Sequence, residues 1–254
     1  MNILEIKNLN FSYGKNQVLK DINLSLEEGG KLIIIGPNGC GKTTLLKVIS
    51  AYLQADSGSV TLDGRDLHSF TIKDRAKIIS VQHQNPNSSF DFTVEEVVEM
   101  GRYPFLSWTG KLGETDKKIV AEQINIMELT DLKDKSILET SGGEKGRTMT
   151  ARAFAQSPKL ILMDEPIAAM DINHQIKLMK TVEKTEDKSF IIVLHDLNLA
   201  SAFADKIALM KEGQIVALGR PEEVINAENI RQVYEVQVDV IMKDGRPFII
   251  PKYR

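Results

Sequence analysis

Short apolar runs of strand length alternate along this chain with stretches of helical spacing. Ile3-Leu4-Glu5-Ile6, Val18 to Leu26 and Ser59 to Leu62 read as strands joined by polar turns, which predicts an antiparallel β region near the start. Lys31 to Ile35 is a continuous apolar run of the kind a central, doubly covered strand carries, and a helix is expected from about Gly41. From about Asn85 to Gln156 the pattern turns helical. Thr93 followed by Glu96 is a helix-start signal. Ile119, Val120, Ile124 and Met127 lie on one helical face. Tyr103 to Trp108 is aromatic and turn-prone. Strands resume at Leu160 to Met163 and Phe190 to Leu194, each followed by a helical pattern. The tail from Lys206 alternates strand-like and helical pieces, punctuated by Gly213, Gly219 and Gly245. Alternation of this kind points to an α/β class with a mainly parallel sheet.

The composition narrows the reading without redirecting it. With 254 residues, 42% hydrophobic and 26% charged, the chain can bury a sizeable core. Its formal net charge of -3 gives no electrostatic support for a nucleic-acid partner. Its apolar runs fall far short of the roughly 20 residues of a membrane span. The first residues lack the basic start and apolar stretch of a secretory signal. A cytoplasmic location is the expectation, with membrane association through a partner. One cysteine, Cys40, excludes an internal disulfide and a multi-cysteine metal site.

Two segments carry recognisable chemistry. Gly36-Pro37-Asn38-Gly39-Cys40-Gly41-Lys42-Thr43 has the spacing of a phosphate loop between a strand and a helix. Its glycines let the backbone wind around phosphate oxygens, and the helix start adds its positive dipole end. Lys42 reaches the β- and γ-phosphates, and the Thr43 hydroxyl suits Mg²⁺. Leu160 to Met163 runs into Asp164, Glu165 and Pro166, an apolar strand ending in two carboxylates. Asp164 suits Mg²⁺, and Glu165 a general base on the attacking water. Cys40 precedes a helix N-terminus, which should favour its thiolate so that thiol reagents block ATP binding; an inert small residue fits the position equally.

With these two segments and five more in order, the chain resembles the ATP-binding-cassette ATPases. Phe11-Ser12-Tyr13 resembles the aromatic loop whose ring, here Tyr13, stacks on adenine. The strand period also places Tyr13 with Phe11 and Leu9, which equally fits a core ring. Val81-Gln82-His83-Gln84 resembles the glutamine loop, with Gln82 sensing Mg²⁺ and water. Thr140-Ser141-Gly142-Gly143-Glu144 resembles the family signature. Ser141 there also reads as a helix N-cap, a geometry that itself makes an anion site. Ala168-Ala169-Met170-Asp171 resembles the loop that crosses between subunits, and His195 the switch histidine of the γ-phosphate. Thr140 and Glu144 depart from the commoner Leu and Gln. Ile167 and Ala168 stand where small hydroxyl residues are usual, and Met170 replaces Leu.

The resemblance implies a P-loop core with an N-terminal antiparallel β region and a helical lobe. It makes residues 1-254 a single cassette domain, with a helical subdomain at about 85-155 and a C-terminal extension at about 206-254. It implies ATP and Mg²⁺ as ligands, held by Gly36–Thr44, and a head-to-tail dimer in which Ser141–Glu144 and Asp171 of one copy face the nucleotide of the other. It also implies integral membrane permease subunits, an indirect link to a substrate-binding protein, and a place on the cytoplasmic face of the cell membrane. Met100-Gly101-Arg102-Tyr103-Pro104-Phe105-Leu106, Val193 to Ala200, Glu222 to Ile225 and Tyr234 to Val238 resemble cassettes of iron–siderophore, haem and vitamin B12 importers. The competing readings are a non-transport cassette of the iron–sulfur assembly type and a regulatory ATP-binding module with little turnover.

Overall fold

A computed structural model describes residues 1–83, 91–106 and 110–252. Gln84 of the glutamine loop, the start of the expected helical stretch, and Ser107–Trp108 lie outside the described residues. The chain divides into two compact units, Met1–Ser69 with Thr185–Arg254, and Phe70–Lys184.

In the first unit, β1 (Asn2–Tyr13) and β2 (Asn16–Glu27) form a long antiparallel hairpin. It lies in an antiparallel sheet of order β2-β1-β4-β5, with β4 at Ser57–Leu62 and β5 at Arg65–Asp66. The N-terminal β region is thus antiparallel, with a hairpin far longer than the apolar runs alone outline. A second set of strands is built on β3 (Lys31–Ile35). It pairs in parallel with β8 (Ser189–Val193) on one side and β9 (Lys206–Lys211) on the other, and β10 (Gln214–Gly219) runs antiparallel to β9. Leu32 to Ile35 are wholly buried, the consequence of a parallel strand covered on both faces. Each such aliphatic side chain contributes about 1.5–3 kcal/mol through burial. α1 (Lys42–Ile49) follows β3 directly. α7 (Leu197–Phe203) starts on Asp196, whose carboxylate accepts the N–H groups of Asn198 and Leu199. After α8 (Pro221–Val224) and α9 (Ala227–Tyr234), the hairpin β11 (Val238–Lys243) and β12 (Arg246–Pro251) is tied to α7. Ser201 donates to Pro247 O at 2.6 Å, and Asn198 exchanges hydrogen bonds with the Ile249 backbone.

The second unit holds one parallel strand pair, β6 (Ile79–Gln82) and β7 (Leu160–Asp164), and most of its helix. α2 spans Ile72–Ala76, α3 Val94–Glu99, α4 Glu114–Ile126, α5 Gly142–Ala155 and α6 Ile172–Lys184. α3 begins as the sequence predicts: the Thr93 hydroxyl accepts the Glu96 N–H while Glu96 accepts the Thr93 N–H. α4 buries Val120 and Ile124, and α3 and α4 both pack on α5. The aromatic stretch expected as a turn is a 3-10 helix, Met100–Phe105. Gly101 is required there, because a Cβ would stand 2.3 Å from Arg152 O. Arg102 is buried. It donates to Ala155 O at 2.8 Å and to Asp116 Oδ1 at 2.9 Å, with its guanidinium 4.1 Å above the Phe105 ring. The hydrogen bond from Arg102, with a second from the Gly113 N–H, holds the Asp116 carboxyl below its ordinary range. Among the described residues no helix is long and apolar enough to cross a membrane.

Candidate functional site

In the first unit the site begins where β3 ends. Gly36 has φ 154°, and a Cβ on it would lie 2.3 Å from Met210 O, so only glycine lets the loop leave the strand here. Gly41, at φ 106°, occupies the N-cap of α1 and offers no side-chain cap. The first-turn N–H groups of a helix have no intrahelical partners. Without a cap they stand at the positive end of the helix dipole, an arrangement that favours an anion. Asn38, Gly39 and Thr43 are exposed, Pro37 and Thr44 half-buried. Lys42 is buried, and its Nζ donates to Gly36 O at 2.7 Å and Pro37 O at 2.9 Å. The ammonium is thereby folded across the loop that it is expected to serve.

Cys40 corrects the expectation drawn from the helix start. It is only 5% exposed, and burial pushes its thiol above the ordinary value, against the smaller opposing pull of Lys42. Desolvation outweighs the Lys42 charge and the backbone hydrogen bonds, so burial keeps this thiol protonated and covered. Tyr234 of α9 shares a cavity of about 370 Å³ with Pro37–Cys40 and Lys211, and burial raises its phenol too.

His195 follows β8. Ile34 is paired with Val193 in parallel, and Leu194 donates to Ile34 O at 3.2 Å. Gly36 and His195 therefore leave neighbouring strands at the same sheet edge, and His195 is exposed there. Tyr13 is 48% exposed and meets Phe11 edge to face, with ring centroids 4.8 Å apart. It is not a core ring. The β1–β2 register shifts between Phe11 and Ser12, which ends the simple alternation.

The second unit gathers the remaining groups. Gln82 is paired with Met163, so Gln82 and the carboxylates Asp164 and Glu165 leave adjacent strands at one edge. Asp164 is buried. Glu165 has φ 50°, left-handed backbone in a residue other than glycine. Such conformations cost of order 1–3 kcal/mol and gather at functional positions. Gln82 is buried and turned to α5: its Nε2 donates to Gly146 O at 3.3 Å, and its Oε1 accepts from the Thr150 hydroxyl at 3.0 Å.

α5 opens on a complete capping box. Ser141 Oγ accepts the Glu144 N–H at 3.3 Å, and Glu144 Oε2 accepts the Ser141 N–H at 2.7 Å. That backbone N–H holds the Glu144 carboxyl below its ordinary range. The unusual Glu144 is thus a cap, and the unusual Thr140 is buried with its hydroxyl donating to Ile137 O at 2.7 Å. Ser141 to Glu144 line a cavity of about 420 Å³ with Arg147, Ala169 to Asp171 and His174. Asp171 accepts the His174 N–H at 2.9 Å, and His174 Nδ1 lies 2.8 Å from its second oxygen, which together lower its pKa. On the far side, Glu128 pairs with Lys177 at 2.7 Å and lies 3.7 Å from His174 Nε2. The sequence reading missed His174, Arg147 and Thr150. His174 alone left a signal, standing three residues after Asp171 at a helix start.

A hemin import ATP-binding protein of Thermobifida fusca is 36% identical over 253 residues, covering 98% of this chain and 88% of its own. A petrobactin import ATP-binding protein of Bacillus anthracis is 35% identical over 253 residues, covering 98% of this chain and 93% of its own. A solved dimeric ATP-binding cassette in a post-hydrolysis state with ADP and Pi superposes with a TM-score of 0.77 at 29% identity, covering 85% of this chain and 98% of its own. The family model described as ABC transporter matches residues 19–168. On that match, with these relatives along nearly its whole length, the chain belongs to the ABC transporter family.

Proposed function

We propose that this chain is the ATP-hydrolysing subunit of a transporter that imports a metal chelate, an iron–siderophore, haem or cobalamin. The observation that carries the motor assignment is the uncapped N-terminus of α1, with buried Lys42 folded over a loop that admits no side chain at Gly36. The cargo class is supported by relatives named for hemin and petrobactin import. Two copies work head to tail, together with permease subunits and, through them, a substrate-binding protein. The place of action is the cytoplasmic face of the membrane. Residues at about 85-155 act as the helical subdomain that passes motion to the permease.

In this reading Tyr13 stacks on adenine, and the backbone of Gly36–Thr44 surrounds the phosphates. Lys42 turns from the loop carbonyls to the β- and γ-phosphate oxygens. Thr43, Gln82 and Asp164 supply only oxygen donors, the set a hard cation takes, and thus fit Mg²⁺. When bound, Mg²⁺ neutralises charge on the phosphate oxygens. Glu165 orients the attacking water and accepts its proton, and His195 holds the γ-phosphate. Ser141, Gly142, Gly143, Glu144 and Asp171 face the nucleotide of the second copy. ATP favours closure because only the closed dimer contacts the phosphates from both sides.

The test is ATP hydrolysis by the purified chain across a range of protein concentration, beside Glu165→Gln and His195→Ala. Turnover should rise faster than linearly with protein. It should fall about 10²–10⁴-fold in Glu165→Gln, as the loss of a general base does, with ATP binding retained. Unchanged hydrolysis in that variant would overturn the role of Glu165. ATP binding without turnover, even with the permease present, would instead favour a regulatory module. For the cargo, uptake of radioiron as siderophore or haem by membranes carrying the whole transporter should require this chain.

A further inference from the structure

Gln82 is proposed above to supply oxygen to Mg²⁺, yet its amide nitrogen and its amide oxygen are each hydrogen-bonded elsewhere. Its nitrogen faces Gly146 O at 3.3 Å and its oxygen faces the Thr150 hydroxyl at 3.0 Å. The orientation is fixed by chemistry: reversing the amide would set its oxygen against a carbonyl, two acceptors face to face. Gln82 is 2% exposed and Thr150 is wholly buried, so the bond between them is made away from water, while the one to Gly146 O is part-buried. A buried amide satisfied in this way costs free energy to release.

The Thr150 hydroxyl makes that release reversible. It carries one proton and has two acceptors at 3.0 Å, Gln82 Oε1 and Gly146 O. When Gln82 leaves, the proton turns to Gly146 O, a bond one helical turn back that threonine makes readily. No buried donor is orphaned, so the site has two satisfied arrangements. Both partners of Gln82 stand on α5, the helix whose first turn is Ser141–Glu144. Gly146 also borders the crossing loop, since a Cβ there would lie 3.2 Å from Met170 Cε.

We propose that Thr150 is a positioning residue that parks Gln82 against α5, so that Gln82 is free to face Mg²⁺ only when α5 shifts from β6. The inference rests on the oxygen-donor role of Gln82 given under the proposed function. Parking withholds the binding-competent arrangement, and apparent divalent affinity is lowered by the fraction parked.

The test uses the full chain with Thr150→Val, which keeps the shape and removes the hydroxyl, and Thr150→Ser, which restores it. The first readout needs no metal: the side-chain amide resonance of Gln82 in the ¹⁵N spectrum, assigned by its loss in Gln82→Ala. Thr150→Val should move it and speed its exchange with water, while Thr150→Ser keeps the native signal. The second readout is the Mg²⁺ concentration giving half-maximal hydrolysis at saturating ATP. Thr150→Val should lower it about two- to tenfold, the weight of one hydrogen bond. Should Thr150→Val not fold, Thr150→Ala removes the same hydroxyl. A variant that lowers thermal stability but leaves both the amide signal and the Mg²⁺ dependence unchanged overturns the proposal. If Gln82→Ala itself leaves the Mg²⁺ dependence unchanged, the role of Gln82 falls and the proposal with it. If Gln82→Ala shifts that dependence and Thr150→Val does not, the parking proposal alone fails.

Discussion

α1 and α5 both begin at glycine-bearing loops, and they treat their first-turn N–H groups in opposite ways. α1 starts on Gly41 with no side-chain cap, and its first-turn groups are left without one. α5 starts on Ser141 inside a reciprocal box with Glu144, so part of its first turn is satisfied by the protein itself. The first arrangement gives up the stability that a cap would add. The second keeps its helix whole and presents only what remains, from Gly142 and Gly143, to the cavity that it shares with Asp171. The division is the one the proposed function calls for, a loop that binds its own nucleotide and a surface that meets one held by another copy.

The strongest way to break the comparison is to fill the uncapped loop. Gly36→Ala places a Cβ 2.3 Å from Met210 O, a clash with backbone that no rotamer relieves. We expect ATP binding to vanish in calorimetry and stability to fall by about 3 kcal/mol or more in thermal melts. A variant that still binds ATP with wild-type affinity would mean that the loop is not the phosphate site.

A smaller effect is expected at the capped helix. Ser141→Ala removes the cap and should cost about 1 kcal/mol in denaturant unfolding. ATP affinity of the dilute chain should be unchanged, because that nucleotide lies on the loop of α1. Turnover at high protein concentration should fall. Equal loss of affinity and turnover would erase the distinction between the two helices.

The smallest effect is in pH dependence, and it separates the units. Glu144, Asp171 and Asp116, all in the second unit, have folded-state pKa values below the ordinary carboxylate range. The stability they lend is present above that range and is lost as pH falls through the folded values. Glu99 works the other way, raised by burial and by Glu95 and Glu96. In the first unit Cys40 and Tyr234 are raised by burial, so their contribution holds below the ordinary thiol and phenol values and is lost as pH rises through the folded ones. Hydrogen exchange followed by unit should show the second loosening first in acid and the first in alkali. Cys40→Ser should blunt the alkaline loss.

How much the sequence revealed depends on whether the physics was local. The strand–loop–helix of Lys31 to Ile49 was legible, because glycine spacing and an apolar run are chain-local signals. So were the capping box at Thr93 and the N-cap at Ser141, though not the return bond from Glu144 that completes the second box. Cys40 misled, since a helix start is visible in sequence and the burial that overrides it is not. Tyr13 was left open between core and site because a register irregularity beside Phe11 cannot be read from a period of two. The left-handed backbone of Glu165 and the contact of Gln82 with Thr150, 68 residues away, were invisible for the same reason.

The short helix Met100–Phe105 has a consequence of its own. Gly101 lies against Arg152 O with no room for a methyl group, and Arg102 is bolted to the last turn of α5 and to α4. Between these fixed points Tyr103 stands 58% exposed. Tyr103 is thus an exposed ring whose neighbours Gly101 and Arg102 seat the short helix against α5 and α4.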